Sequence, residues 1–285
     1  MVAVGPIVLL HGYWHGSWCW APVTEELAAR GLASVAVDMA GHGLDAKSPT
    51  TRWQRPFDAA AYATEPAPSA AVSASSAAAR LVEQVRRIGG GRPCLVVAHS
   101  MGGTVATAMA ELAPELVAGL VYVTAFAPTG GRSALQYIER PENATSTVHS
   151  RLAADPAVVG ALRFDTGDAS AHAGIIETFY ADVPTDLATA AIGMLNPDAP
   201  AGIAVEPLNP TADRYGRLPH TYVVCTQDNA ISAALQRAMI AGIDELSAKP
   251  TTVVDLECSH SPFFSQPAAL VDVLEKAHHG AAAGA

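Results

Sequence analysis

The sequence predicts an α/β domain with a mostly parallel sheet of about six strands, helices on both faces and a helical segment inserted late in the chain. Three observations carry this prediction. Short apolar runs alternate with amphipathic stretches of helical period. Several of the runs end in glycine-rich or polar turns. The alternation stops near residue 129 and resumes near residue 219. Such an alternation is typical of a parallel sheet that is covered by helices on both sides.

The elements before residue 129 are predicted from this alternation. Strands are expected at 7–10, 33–38, 94–98 and 120–125. Helices are expected at 22–30, 76–88 and 104–112. The stretch 46–72 is rich in Pro, Ser, Thr and Ala and predicts a long surface excursion. Its aromatic residues either help to wall a pocket or anchor the excursion, and these are Trp53, Phe57 and Tyr62.

The second half of the chain predicts an insertion. Prolines punctuate residues 129–218, which are helical in character and show no further strand–helix repeat. We therefore expect a helical cap at 129–218, inserted in a core formed by 1–128 and 219–285. The repeat resumes with strands at 221–226 and 251–256 and helices at 230–243 and 267–277.

The bulk composition bounds the class of protein. Half of the 285 residues are hydrophobic and only 15% are charged, which fits a well-buried globular domain. The net charge is −10 and no basic stripe is visible, which argues against nucleic-acid and anionic-membrane partners. No metal-ligand spacing is present. Four scattered cysteines predict free buried thiols in a reducing compartment, and they are Cys19, Cys94, Cys225 and Cys258.

The location of the protein is predicted from two further features. Residues 1–10 lack the basic region and the cleavage site of a signal peptide. No apolar run reaches the roughly 20 residues that span a bilayer. We therefore expect a cytoplasmic protein without a membrane partner. A homodimer formed through the cap or a strand edge is left open, because nothing in the sequence decides the oligomeric state.

The stretch 96–103, Val-Val-Ala-His-Ser-Met-Gly-Gly, is the most informative motif. An apolar strand, a sharp turn and a helix-favouring run form the context of a nucleophile elbow. Ser100 would stand at the N-terminus of that helix, where backbone N–H groups favour developing negative charge. The usual pattern has glycine two residues before and after the serine, where this chain has Ala98 and Gly102. The alternative is an ordinary strand–helix turn with a capping serine.

Polar residues follow three predicted strands at the sheet edge where parallel sheets bind ligands. Ser100, Asp228 and His260 occur in the chain order of a Ser-Asp-His triad. A serine hydroxyl is a poor nucleophile at neutral pH, so His260 would accept its proton. Asp228 would fix the imidazole tautomer and stabilise the imidazolium. The backbone amides of Tyr13 and Met101 are the expected oxyanion-hole donors.

Each member of this triad also has a plainer interpretation. Asp228 is compatible with a simple turn, since the Asp-Asn pair favours turns. His260 is one of ten histidines in the chain. Asp255 is a rival acid, but it lies inside the last predicted strand. His99 is expected to point away from the site, and His42 is expected to be structural.

Four segments together carry a family resemblance. They are His-Gly-Tyr-Trp-His-Gly-Ser-Trp at 11–18, Ala-His-Ser-Met-Gly-Gly at 98–103, Cys-Thr-Gln-Asp at 225–228 and Ser-His-Ser-Pro-Phe-Phe at 259–264. With them the sequence resembles the α/β-hydrolase superfamily over nearly its whole length. Within it, the sequence is similar to plant methylesterases and hydroxynitrile lyases and to bacterial pyrethroid-hydrolase-like esterases. The resemblance implies an enzyme that needs no cofactor and no metal.

The resemblance also distinguishes ester hydrolysis from the other activities found on this fold. Hydroxynitrile lyases of this group carry threonine at the position of Gly12 and lysine at the position of Ser261. Dehalogenases and epoxide hydrolases on this fold use an aspartate in place of Ser100. We therefore expect a serine hydrolase that cleaves a small hydrophobic carboxylic ester or lactone through an acyl-enzyme. A lyase of the hydroxynitrile type and a non-catalytic small-molecule receptor remain as alternatives. The fold predicts substrate-binding walls at Gly12, Tyr13, Trp14, Met101, Phe126, Phe179 and Met194.

Overall fold

The computed structural model describes residues 4–284, and eight strands lie in this range. They are β1 (Ile7–Leu10), β2 (Ser34–Val37), β3 (Cys94–His99), β4 (Val117–Val123), β5 (Ala161–Arg163), β6 (Asp198–Pro200), β7 (His220–Cys225) and β8 (Thr252–Leu256). Six of them form one sheet in the order β2-β1-β3-β4-β7-β8. Every neighbouring pair in this sheet is parallel. The α/β fold with a six-stranded parallel sheet is therefore confirmed.

Helices of very different lengths surround the sheet. They are α1 (Ala21–Ala29), α2 (Ala59–Thr64), α3 (Ala74–Gly89), α4 (Gly102–Leu112), α5 (Ala134–Ile138), α6 (Pro156–Val159), α7 (His172–Phe179), α8 (Thr185–Met194), α9 (Ala201–Val205), α10 (Ala233–Asp244), α11 (Pro262–Ser265) and α12 (Pro267–Gly284). Within residues 4–284, each of these helices is either too short or too polar to cross a bilayer.

Successive side chains of each strand point to opposite faces of the sheet, and helices cover both faces. Val8 and Leu10 of β1 belong to a core that α3, α4 and α10 cover. Ile7 and Leu9 of the same strand point to the other face, where α1 and α12 pack. A central strand must therefore be apolar at every position, which explains why these strands appear as continuous apolar runs.

The excursion at 46–72 is partly ordered by α2 and is anchored by one of its aromatic residues. Tyr62 is buried, and its hydroxyl donates a hydrogen bond to the carbonyl of Phe164 at 2.7 Å. Trp53 and Phe57 lie on the surface. Of the two roles considered for these aromatics, the structure supports anchoring, through Tyr62.

The segment between β4 and β7 contains helices α5 to α9 and also a short ladder that the sequence pattern did not predict. Strands β5 and β6 pair antiparallel. Arg163 of β5 is fully buried and binds the Asp198 carboxylate through two hydrogen bonds, at 2.6 and 2.8 Å. An unpaired buried charge costs about 3–5 kcal/mol, so this ion pair fixes the register of the ladder. Three-residue strands are too short to show a periodicity.

The division into a core and a cap remains a prediction. The predicted core also includes residues 1–3 and 285, which lie outside the described residues. The four cysteines are free and buried, as the sequence predicts for isolated thiols.

Candidate active site

Ser100, Asp228 and His260 follow β3, β7 and β8 at one edge of the sheet. The side chains of Asp228 and His260 are joined by a hydrogen bond. Nδ1 of His260 donates to Oδ2 of Asp228 at 2.6 Å. Oδ1 of Asp228 accepts from the backbone amides of Ala230 and Ile231 at 2.6 and 2.9 Å. Because Nδ1 carries the shared proton, the lone pair of a neutral His260 ring is on Nε2. That nitrogen is the one that can act as a base.

Ser100 lies in a tight turn that only small neighbours permit. Its φ is 52°, a left-handed conformation that is uncommon for a residue with a side chain. The carbonyl of Ser100 accepts from the amides of Gly103 and Phe126, both at 3.0 Å. A Cβ at Gly102 would lie 2.3 Å from the carbonyl oxygen of His11, and a Cβ at Gly103 would lie 2.3 Å from that of Phe126. Steric contacts therefore explain why two glycines follow Ser-Met in this turn.

The loop after β1 packs directly on this turn. A Cβ at Gly12 would lie 2.5 Å from the Cβ of Ser100. The next residues turn sharply, and Trp14 has a φ of 61°. Within residues 4–284, the backbone amides of Tyr13 and Met101 donate to no carbonyl oxygen. Neither amide is therefore used in the backbone hydrogen bonding of these two loops.

Four buried histidines lie in this region without adding positive charge, and one of them, His99, contacts His260. His99 donates from Nε2 to the carbonyl of His260 at 2.8 Å, and the two ring centroids are 4.6 Å apart. Burial lowers the pKa of His11 to about 4 and the pKa of His15 and His42 to about 3. Burial also lowers the pKa of His99 well below its ordinary value. These four rings are neutral at pH 7, and His99 supports the backbone of the His260 loop.

A residue absent from the sequence-based site completes the surroundings of the acid. Thr124, just after β4, donates from Oγ1 to Oδ2 of Asp228, the oxygen that His260 also binds. A threonine after a strand carries no local signal of such a role. Asp255, the rival acid, lies on the edge strand β8 and pairs at 2.6 Å with Arg237. Asp255 is half-exposed, and its carboxylate pairs with Arg237 rather than with His260.

A cavity of about 490 Å³ opens over Ser100. The predicted wall residues that line it are Tyr13, Trp14, Met101, Phe126 and Phe179. Gly12 does not line it and instead packs closely against Ser100. Met194 lies at the end of α8, is 53% exposed and is not a wall residue. The structure therefore gives no support to the substrate-binding assignment of Met194, whose side chain is half-exposed to solvent.

The sequence reasoning missed most of the apolar wall. Its residues include Leu135, Ile138, Val148, Leu152, Leu162, Val205 and Ile231. Besides Ser100, the polar wall residues are Glu139, Asn143, Ser146 and His149. Two of them already have partners. Asn143 accepts from the amide of Ser232 at 3.1 Å and donates to the carbonyl of Ile138 at 3.3 Å. Ser146 donates to the carbonyl of Ala230 at 2.9 Å. The cavity therefore offers a mostly apolar surface, with the exposed side chains of Glu139 and His149 as its ionisable wall residues.

The segment between β4 and β7 contacts both loops of the site. The ring of Phe179 lies 5.5 Å from the ring of His260 and 5.5 Å from that of Trp14. Trp14 donates from Nε1 to the carbonyl of Leu162 at 2.9 Å and stacks on Phe164 at 4.1 Å. These contacts place the segment over the histidine and over the loop after β1.

Comparison with known proteins assigns the family. Residues 7–273 match the model of the "Alpha/beta hydrolase family". The chain belongs to the α/β-hydrolase family. This α/β-hydrolase is 27% identical to methyl jasmonate esterase 1 of Vitis vinifera, over 94% of this chain and 95% of the relative. It is 26% identical to methylesterase 2 of Arabidopsis thaliana, over 94% of this chain and 93% of the relative.

The fold has a solved counterpart. A pyrethroid hydrolase from Sphingobium faniae JZ-2 superposes with a TM-score of 0.70 at 21% identity, over 97% of this chain and 98% of that chain. At this identity the likeness shows the shared fold. The family resemblance predicted from the sequence is confirmed.

Proposed function

We propose that this carboxylic ester hydrolase is a serine hydrolase acting on a small hydrophobic ester or lactone. Ser100 is the nucleophile, His260 the general base and acid, and Asp228 the residue that orients His260. The observation that carries the proposal is the 2.6 Å hydrogen bond between His260 and Asp228, at the same edge of the sheet as Ser100, which lines a mostly apolar cavity.

The chemistry proceeds in two halves. Nε2 of His260 takes the proton of Ser100 as Oγ attacks the carbonyl carbon. The amides of Tyr13 and Met101 stabilise the resulting oxyanion, and each such donor is typically worth about 2.7–4 kcal/mol. The intermediate collapses and His260 protonates the departing alcohol, which leaves an acyl group on Ser100. Water, activated by His260, then releases the acid.

The cavity and the loop geometry support ester hydrolysis over the lyase alternative. The lyases of this group carry threonine at the position of Gly12, where a Cβ would overlap that of Ser100. The wall is apolar, so we propose that an uncharged hydrocarbon portion of the substrate fills it. The names of the relatives, a methyl jasmonate esterase and a methylesterase, support an ester with a small alcohol.

Residues 129–218 form the cap over this site in our proposal. The support is their contribution of Phe179 and of much of the apolar wall, together with the contacts to Trp14. Substrate would then enter between the cap and the loops that follow the strands. Four free buried cysteines support a reducing compartment such as the cytoplasm.

A series of p-nitrophenyl esters with acyl chains of increasing length tests this proposal. We expect kcat/KM to rise with each added methylene until the chain fills the cavity, by a factor of up to about ten per methylene, and then to fall. An anionic ester of matched length should be hydrolysed more slowly, because the wall is mostly apolar and the charge would lose its water there. Absence of turnover with every ester, or a preference for the anionic ester, would contradict the proposal.

A further inference from the structure

Thr124 is held in a backbone conformation that threonine rarely adopts. It follows the last residue of β4, is fully buried and has a φ of 38°. A positive φ is a genuine outlier for a β-branched residue. Such conformations persist where the surrounding structure determines them, and they cluster at functional sites.

The neighbouring strand β7 holds this conformation from both sides. The amide of Thr124 donates to the carbonyl of Val223 at 2.9 Å. The hydroxyl of Tyr222 accepts from the amide of Ala125 at 3.0 Å and donates to the carbonyl of Ala125 at 2.7 Å. The backbone on each side of the Thr124 side chain is therefore tied to the strand that leads to Asp228.

The hydroxyl of Thr124 is aimed at the triad acid. It donates to Oδ2 of Asp228, while the amides of Ala230 and Ile231 donate to Oδ1. Those two amides belong to the turn of Asp228 itself and hold only one carboxylate oxygen. Thr124 restrains the other oxygen from a separate strand. That oxygen is also the acceptor for Nδ1 of His260.

We propose that Thr124 is a positioning residue that fixes the Asp228 carboxylate and, through it, the ring of His260. The inference rests on the proposed function, because it assigns Thr124 a role within that triad. The strained backbone is retained since it directs a charge-assisted hydrogen bond at the oxygen on which the orientation of His260 depends. Thr124 itself is not expected to contact substrate.

The variant Thr124→Val tests the proposal, because it keeps the β-branched shape and removes the hydroxyl. We expect kcat for a p-nitrophenyl ester to fall by about 10- to 100-fold, the effect of one hydrogen bond to a charged group, while KM stays near its wild-type value. The variant Thr124→Ser keeps the hydroxyl and should restore most of kcat. Thr124→Ala lacks both the hydroxyl and the branched carbon, so it should show the same loss even if valine disturbs folding.

Two controls separate positioning from a general packing effect. Thr107 is also buried, and its hydroxyl bonds to that of Tyr122 at 2.7 Å, away from the triad. Thr107→Val should therefore leave kcat unchanged. In an Asp228→Ala background, Thr124→Val should have no further effect on kcat, because the two residues act as a unit.

The inference is overturned if Thr124→Val and Thr124→Ala keep the wild-type kcat, or if the full loss persists in the Asp228→Ala background. Its failure can be told apart from failure of the proposed function by Ser100→Ala. If Ser100→Ala is inactive while both Thr124 variants behave as wild type, only the role of Thr124 is wrong. If Ser100→Ala retains activity, the serine mechanism itself is wrong.

Discussion

Ser100→Ala is expected to lower kcat for p-nitrophenyl esters by about 10⁶-fold, the loss seen when a triad nucleophile is removed. Alanine fits the turn without new contacts, because it lacks only the hydroxyl. The cavity and the free amides of Tyr13 and Met101 persist, so substrate binding should be nearly unchanged. The measurement is steady-state hydrolysis by both proteins at equal, high enzyme concentration, so that a trace rate can be resolved.

A second serine supplies the control for that measurement. Ser247 lies beyond α10, where its hydroxyl donates to the carbonyl of Ile243 at 2.9 Å, and it does not line the cavity. Ser247→Ala should hydrolyse the same esters at the wild-type rate. Comparable activity in Ser100→Ala and wild type would rule out the serine mechanism.

Asp228→Asn should lower kcat by about 10⁴-fold with little change in the fold. In the wild-type protein, Oδ2 of Asp228 accepts from two donors, Nδ1 of His260 and Oγ1 of Thr124. An amide NH₂ in that place donates, which favours the imidazole tautomer with its proton on Nε2. That tautomer cannot accept the proton of Ser100. The pre-steady-state and steady-state rates of ester hydrolysis measure the loss.

Asp255→Asn is the matched control, because Asp255 is the rival acid of the sequence analysis. Its exposed pairing with Arg237 contributes little to stability, so this variant should keep the wild-type kcat. An inactive Asp255→Asn together with an active Asp228→Asn would contradict our account, because Asp255 and not Asp228 would then be the acid of the triad.

The sheet and the position of Ser100, Asp228 and His260 at one edge of it could be predicted because both leave local signals. A strand covered on both faces must be apolar throughout, which makes β1, β3 and β4 visible as runs. The turn at Ser100 needs glycines where a Cβ would strike neighbouring carbonyl oxygens. Parallel strands end at one edge, so residues far apart in sequence could be assigned to one site without any contact information.

The parts that escaped prediction depend on contacts between distant residues. The β5–β6 ladder is fixed by Arg163 and Asp198, which lie 35 residues apart. Thr124 meets Asp228 across 104 residues, and its positive φ has no mark in the sequence. Met194 is an apolar residue at the end of α8, and its exposure depends on how that helix packs on distant parts of the chain.

The central claim is a covalent acyl intermediate on Ser100, and intact-protein mass spectrometry after a rapid acid quench tests it most directly. The enzyme is mixed with excess p-nitrophenyl ester and quenched during turnover. We expect a mass increase equal to one acyl group, carried by the peptide that contains Ser100 and absent from Ser100→Ala. Turnover without such an increase at any quench time, or an acyl group that persists in Ser100→Ala, would contradict the account.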